Sequence, residues 1–254
     1  MGFEERTTKP KKDNKNYYST YNFFYPRWEN QCTWYVVGRL LELGCKKSDL
    51  EKKLPNTNAE NWYNDAKYPK QKNAVQGSYI VYSAGKTHHA ADGMGHVAFI
   101  ERVYPDNAIR ISESGAKMKF QTRILYPPYK FYLNVKFKEN YKLDGFVNVL
   151  GEKVEQYYIV GESYEFKYHK YLRSTPEVKT GNKVKYSALN TQKAKDNCIK
   201  DALGFAKTKI GAIMKFDKYK TDKKGNIWAR TTNGKGNYVW LCVEDKSGKQ
   251  VKKV

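Results

Sequence analysis

Two periods organise the apolar residues of this chain. Across 32–43, Trp34, Val37, Leu40 and Leu41 recur at helical spacing, and Gly44 stands where a helix takes its C-terminal cap. That predicts a helix over 32–43, with a second helical turn at 48–53. The stretch 56–69, rich in Asn, Pro and aromatic residues, reads as a loop with one turn around Trp62. The period then becomes two. Gly77 precedes a strand at 78–83, and 84–95 is a loop rich in Gly and His. Residues 96–104 alternate, with His96, Ala98 and Ile100 on one side and Val97, Phe99 and Glu101 on the other. Pro105, Asp106 and Asn107 make a turn, and 108–113 returns as the second strand of a hairpin. Further strands at 119–125, 129–137 and 145–150 complete an antiparallel sheet. A helical start followed by such a sheet is an α+β domain over 21–150. Before it, 1–20 is polar and reads as a loose tail.

Beyond a connection at 151–161, the pattern shortens. Strands at 164–168, 183–186, 213–218, 227–231 and 238–244 are separated by turns at 223–226 and 245–248. This is the grammar of a small all-β barrel over 162–254. A helical pattern of Ala194, Cys198, Ala202 and Phe205 interrupts it at 191–206.

Composition narrows the class. The 254 residues are enough to bury a core without disulfide or metal staples. Mean hydropathy is −0.84, and no apolar run approaches the ~20 residues of a membrane span. The first residues lack the basic-then-apolar order of a secretory signal, so synthesis in the cytoplasm without membrane insertion is expected. The four cysteines form no C-x-x-C pair, which argues against a structural zinc site and for free thiols. The net charge of +21 is uneven: 1–150 hold 24 basic and 15 acidic residues, 151–254 hold 23 and 11. Such a field gathers polyanions. The basic residues form no dense tract interleaved with aromatics, so nucleic acid is not expected as the main partner.

The candidate chemistry centres on Cys32. A thiol at a helix N-terminus is favoured as thiolate by the unpaired N–H groups and the dipole, whereas Cys45, past the other end, meets the opposite field. A nucleophilic thiol needs a base, and the base an orienting group. His96 opens a strand directly after Gly-Met-Gly, and the turn at 105–107 brings Glu113 near it across the hairpin. Gln31 is placed to stabilise an oxyanion together with the Cys32 N–H. From the residues alone, Cys32 is either a core residue of an amphipathic helix or the nucleophile of a thiol hydrolase. A basic polyanion-binding protein with a structural Cys32 is the non-enzymatic alternative. His88, His89 and Asp92 match no metal-ligand spacing, so no metal is expected. Trp62 and Tyr63 are candidates for a substrate groove or for the core. Trp228, Tyr238 and Trp240 are candidates for an aromatic binding face or for a barrel core.

Three short motifs also carry a resemblance: Asn-Gln-Cys-Thr-Trp-Tyr at 30–35, Gly-His-Val-Ala-Phe-Ile-Glu at 95–101 and Ile-Ser-Glu-Ser at 111–114. In this order and spacing, with the closing strand 145–149, residues 25–150 resemble the CHAP family of papain-like cysteine amidohydrolases and peptidases that cut peptidoglycan. The resemblance implies Cys32 as nucleophile, His96 as base and Glu113 as its orienting group. Many members carry an Asn two residues after the Glu, where this chain has Gly115. Some bind calcium through an Asp-rich loop before the cysteine, but 20–29 contain no Asp, so no calcium or other cofactor is expected. More weakly, 171–176, 227–230 and 238–241 resemble strands of a bacterial SH3-like wall-binding domain. Together these imply a phage endolysin: a monomer that a holin releases to a Gram-positive wall. Its partners would be peptidoglycan and anionic wall polymers. Its reaction would be amide cleavage, with N-acetylmuramoyl-L-alanine amidase favoured over endopeptidase. A cysteine peptidase with a protein substrate is the enzymatic alternative.

Overall fold

A computed structural model of the chain describes residues 3–10, 17–83, 94–115, 118–130, 141–151, 157–234 and 237–254. The chain divides into two compact units, 1–103 with 107–154, and 104–106 with 155–254.

The first unit begins with three helices, α1 (Cys32–Glu42), α2 (Lys47–Lys53) and α3 (Trp62–Asp65). Six strands follow: β1 (Lys70–Gln71), β2 (Ser78–Ser83), β3 (His96–Val103), β4 (Ile109–Gly115), β5 (Met118–Leu125) and β6 (Lys142–Asn148). They form one antiparallel sheet in the order β1-β6-β2-β3-β4-β5. Strand alternation sorts β3 between two cores. Val97 and Phe99 join the helices, while Ala98 and Ile100 pack with Ile80, Ile111 and Phe146 on the opposite face.

Helix α1 is buried from Thr33 through Leu41, more completely than a one-sided apolar stripe requires. The preceding segment covers its outer side. The Asn22 amide donates to the carbonyls of Tyr17 and Trp34, both at 2.9 Å, and Asn22 Oδ1 accepts from the Phe24 N–H at 3.0 Å. The helix ends in a Schellman cap, with the Gly44 N–H on Leu41 O and the Cys45 N–H on Leu40 O, both at 3.0 Å. A buried ion pair fixes its rotation. Arg39 donates to Glu101 on β3 through Nε at 3.0 Å and through a terminal nitrogen at 2.8 Å. Glu101 also accepts from Ser112 Oγ at 2.6 Å and from the Arg6 N–H at 2.9 Å. Residues 3–8, expected within a loose tail, therefore lie against this unit, with Phe3 stacked on Phe99 at 6.3 Å. The Phe3 ring, Arg6 and Glu5, the last on Arg110 at 2.8 Å, dock them, too little apolar content to show as a period.

The glycine before β3 has a steric reason. Gly95 has φ +64, and a Cβ there would fall 2.4 Å from Tyr82 O and 2.6 Å from the Glu60 N. Only glycine lets the start of β3 pass this close to β2 and the 59–61 turn. Of the strand expected at 129–137, residues 131–137 lie outside the described residues. Tyr129 sits in a turn, its N–H on Tyr126 O at 2.7 Å.

The second unit holds β7 (Ser163–Phe166), α4 (Gln192–Asp196), β8 (Cys198–Lys200), β9 (Ala206–Thr208), β10 (Ile213–Lys215) and β11 (Lys218–Thr221). It ends with β12 (Ile227–Gly234), β13 (Asn237–Asp245), β14 (Gly248–Lys249) and β15 (Val251–Lys253). Two expectations are corrected here. The described strands form separate sheets, β10-β7-β15, β11-β12-β13-β14 and β8-β9, and their ladders do not close into one barrel. The expected helix at 191–206 shrinks to the five residues of α4 and then becomes the β8–β9 hairpin. Asp201 explains the change. Its Oδ1 accepts from the N–H groups of Leu203 at 3.0 Å and Phe205 at 2.8 Å, and Gly204 takes φ +83. A side chain that bonds its own backbone two and four residues on builds a turn in competition with a helix. The segment 183–186 makes isolated bridges in place of a named strand.

Candidate active site

Cys32 is the first residue of α1. Asn30, at φ 64, turns the chain into the helix, and Gln31 is its extended N-cap residue. Asparagine tolerates that left-handed conformation better than most residues. Cys32 remains half-buried as a residue, with packed atoms around the thiol.

His96, the first residue of β3, hydrogen-bonds the Cys32 thiol. Its Nε2 lies 2.8 Å from Glu113 Oε2, which leaves Nδ1 for the sulfur. Extending the β3–β4 register from Phe99↔Ser112 sets Glu113 opposite Ala98, diagonal to His96 on the same face. Glu113 is fully enclosed, and its other oxygen, Oε1, takes two partners from β5. Gln121 donates to it at 2.9 Å and Arg123 Nε lies 2.6 Å away. Glu113 and Gln121 are direct cross-strand partners, and Arg123 follows on the same face. The sequence reading missed both. Their signal was the period-two pattern over 119–125 combined with a β4–β5 hairpin, which puts alternate β5 residues beside Glu113. The amide on Glu113 thus comes from Gln121 across the strand, while Gly115 ends β4 beyond a register shift.

The electrostatics follow from these contacts. Burial raises the Cys32 pKa, but the hydrogen bond and charge of His96, with the N–H groups of Val97 and Thr33, outweigh it and the net shift is downward. Burial works against a charged His96, yet Cys32 and Glu113 push it up to about 9. Glu113 is raised by burial and lowered more strongly by His96 and Arg123, so it stays a carboxylate. The other thiols go the opposite way. Burial, with Asp49 nearby, lifts Cys45 to about 11. Burial alone, against a small opposing effect of Lys209, lifts Cys198 to about 11. Burial, with Asp245 nearby, lifts Cys242 to about 12. The arrangement can therefore hold a thiolate beside an imidazolium, the pair needed for acyl transfer.

The Gln31 side chain makes no cap bond to the helix. The Cys32 N–H is one of the helix's four unpaired N-terminal donors. Two aromatic candidates are corrected. Trp62 is fully buried in the core against Phe24 and Tyr79, its indole N–H on Thr57 O at 3.3 Å, so it lines no groove. Trp228 is 1% exposed and donates to Asp222 at 3.1 Å, which makes it core as well. Tyr63 is half-buried over Gly145. Tyr238 is 49% exposed with the Arg230 guanidinium 4.2 Å above its ring, and Trp240 pairs with Arg230 across β12–β13. His88, His89 and Asp92 lie outside the described residues. Among the described residues, no group of His, Cys, Asp and Glu is arranged to hold a metal ion.

Comparison with known proteins places a family on this stretch. The CHAP domain model matches residues 17–115. An N-acetylmuramoyl-L-alanine amidase domain-containing protein of Staphylococcus aureus is 41% identical over 96 residues, 34% of this chain and 14% of that protein. The chain thus spans about a seventh of that curated relative's length. The crystal structure of an N-acetylmuramoyl-L-alanine amidase from Staphylococcus aureus is 29% identical, with 46% of this chain and 31% of that one covered at a TM-score of 0.32. The crystal structure of Ly7917 is 12% identical, with 88% of each chain covered at a TM-score of 0.32. The stretch similar to the CHAP domain, residues 17–115, contains Cys32, His96 and Glu113.

Proposed function

We propose that the chain is a peptidoglycan hydrolase that cleaves an amide bond through Cys32. The observation that carries this reading is the contrast among the thiols: Cys32 has its pKa lowered, by a histidine that a buried carboxylate holds, while the other three are raised. The name of the Staphylococcus aureus relative, an N-acetylmuramoyl-L-alanine amidase domain-containing protein, agrees with it.

The Cys32 thiolate attacks the amide carbonyl carbon, and the oxygen takes up the electron pair. The Cys32 N–H and the Gln31 amide face that oxyanion. His96, as imidazolium, gives its proton to the leaving nitrogen, and the C–N bond breaks to leave a thioester. Neutral His96 then takes a proton from water, the hydroxide adds to the thioester, and thiolate departs with the acid product. Glu113 keeps the ring oriented and its charge balanced throughout. Tyr63, half-buried on α3, is the remaining aromatic candidate for contact with the peptide. Tyr238 and Trp240, beside Arg230 on β12–β13, are the candidates for wall binding. Among amide bonds, the link between the sugar and L-Ala is favoured, as in an N-acetylmuramoyl-L-alanine amidase, and an endolysin of a Gram-positive host is the setting.

Digestion of purified Gram-positive walls tests this. The wild-type chain should lower their turbidity, and Cys32→Ala should abolish that loss without changing the circular dichroism spectrum. Mass spectrometry of the products should show new amino groups on L-Ala. New amino groups on cross-bridge residues would make the enzyme an endopeptidase, and a fully active Cys32→Ala chain would overturn the cysteine mechanism.

A further inference from the structure

The second unit carries a charged surface that wall hydrolysis does not use. Residues 171–173, 183–185 and 205–207 run side by side there: Tyr171 bridges Lys207, Arg173 bridges Lys183, and Lys185 bridges Phe205. Leu172 and Ala206 between them are buried, so Tyr171, Lys183, Lys185, Phe205 and Lys207 share the opposite, outward side. Their side chains interlock in a row. Lys207 Nζ lies 4.5 Å from the Tyr171 ring centre, and Lys183 Nζ lies 4.0 Å from the same ring and 5.4 Å from Phe205. Lys185 Nζ lies 4.0 Å from Phe205 and donates to Leu203 O at 3.0 Å. All four contacts are within cation–π range.

Ammonium groups and rings thus alternate. Among the described residues, none of these three lysines is in a salt bridge. The nearby carboxylate, Asp201, is engaged by the Tyr171 hydroxyl at 2.9 Å and by the hairpin N–H groups. The row borders a cavity of about 560 Å³ whose walls include Tyr171, Lys170, Arg173, Lys224 and Lys246. Asp245 in that wall is paired with Lys170 at 3.1 Å. Like charges held this close repel one another, and an anion from outside relieves the repulsion.

The geometry narrows the anion. The cations succeed one another from ring to ring, Lys207 on Tyr171, Lys183 between Tyr171 and Phe205, and Lys185 on Phe205, a succession that suits a polymer with a charge on every repeat. Lysines already cover both rings, so the open aromatic platform that stacks nucleic-acid bases is missing. We infer that this face docks a linear, phosphodiester-linked polyol chain of the bacterial wall, with Lys183, Lys185 and Lys207 each meeting a phosphate. The choice of a wall polymer over other phosphodiesters rests on the hydrolase reading.

The test measures binding without turnover, on the full chain carrying Cys32→Ala, with purified poly(glycerol phosphate) teichoic acid as the probe. Replacing Lys183, Lys185 and Lys207 together by Gln should weaken binding at least about tenfold, equivalent to ~1.4 kcal/mol. Replacing Lys218, Lys220 and Lys223 by Gln removes the same charge elsewhere and should change it less than about twofold. The corresponding triple Lys→Arg chain should bind like the parent. Should the Gln triple melt early, the three single Gln variants carry the comparison, at about a threefold loss each. Equal losses from both Gln triples would reduce the effect to net charge and overturn the site. So would tighter binding to single- or double-stranded DNA of matched charge, which would make nucleic acid the ligand. Because no bond is cut in this assay, its failure leaves the hydrolase reading standing, and loss of wall hydrolysis leaves the binding site standing.

Discussion

Cys32, His96 and Glu113 titrate as a unit, because the charge on each is the main partner of the next. In the proposed mechanism the reactive form has the thiol deprotonated and His96 protonated. It appears as pH rises through the lowered Cys32 pKa and is lost as His96 deprotonates near 9. We expect a bell-shaped pH profile of kcat/KM, with its acid limb below the ordinary thiol value and its alkaline limb near that value for His96. Glu113→Gln removes the anion that helps hold the imidazolium. Its alkaline limb should move to lower pH and its kcat/KM should fall about 10²–10⁴-fold. An unmoved limb would take Glu113 out of the mechanism. Arg123 acts one step further back, on Glu113 Oε1 at 2.6 Å. Arg123→Gln lets the Glu113 pKa climb back and leaves the thiolate less favoured, so the acid limb should move to higher pH, with roughly a tenfold loss near neutrality. A merely structural arginine would lower the yield of folded protein and leave the limb in place. That Cys32, His96 and Glu113 lie together was legible in the chain because a helix start, a strand start and a hairpin return are local features; what they do there was given by the resemblance and is the proposal. Gln121 and Arg123 needed the β4–β5 register as well. Trp62 and Trp228 stayed open between a binding surface and the core, because an aromatic residue in a loop or edge pattern does not declare whether its ring turns inward; both rings prove to be core.

Helix α1 presents Cys32, the proposed nucleophile, and the Arg39–Glu101 pair holds α1 on β3. Both side chains are nearly inaccessible, at 4% and 0% exposure. Arg39→Leu strands the Glu101 carboxylate with only Ser112 and the Arg6 N–H as partners. Removing one partner of a buried pair costs about 3–5 kcal/mol. In a unit of this size that corresponds to a fall in Tm on the order of 10 °C, measurable by calorimetry. A second change, Glu101→Leu, should recover part of it, and a loss under about 1 kcal/mol from Arg39→Leu alone would mean the pair does not hold the helix. The helix and the hairpin around β3 and β4 were readable because each is a long element with a clean period. The stretch 191–206 was not. Ala194, Cys198, Ala202 and Phe205 imitate a helical stripe, but Asp201 and Gly204 close a turn inside it, and turn chemistry overrides a four-residue pattern. The expected barrel failed for a related reason: short strands separated by turns specify that sheets form, and leave open how many.

Charge acts on the molecule as a whole. Residues 1–150 carry a surplus of nine basic residues (24 against 15) and 151–254 one of twelve (23 against 11). Attraction of such a surface to an anionic wall is long-ranged at low salt and is screened beyond about 8 Å at 0.15 M and about 3 Å at 1 M. The Cys32–His96–Glu113 row is different, since His96 and Glu113 are buried and in direct contact, and buried pairs are screened far less. Salt should therefore separate docking from chemistry. Raising sodium chloride from 0.05 to 0.5 M should slow lysis of intact walls about tenfold. Cleavage of a small, uncharged muropeptide fragment should change less than about twofold, since no wall field draws it in. The Gln variant at Lys183, Lys185 and Lys207 should start slower on walls at low salt and lose less as salt rises, because part of what salt screens has already been removed. Equal slowing on walls and on the small fragment would place the salt effect in the catalytic row, and the basic surface would then have no part in delivering the enzyme to its substrate.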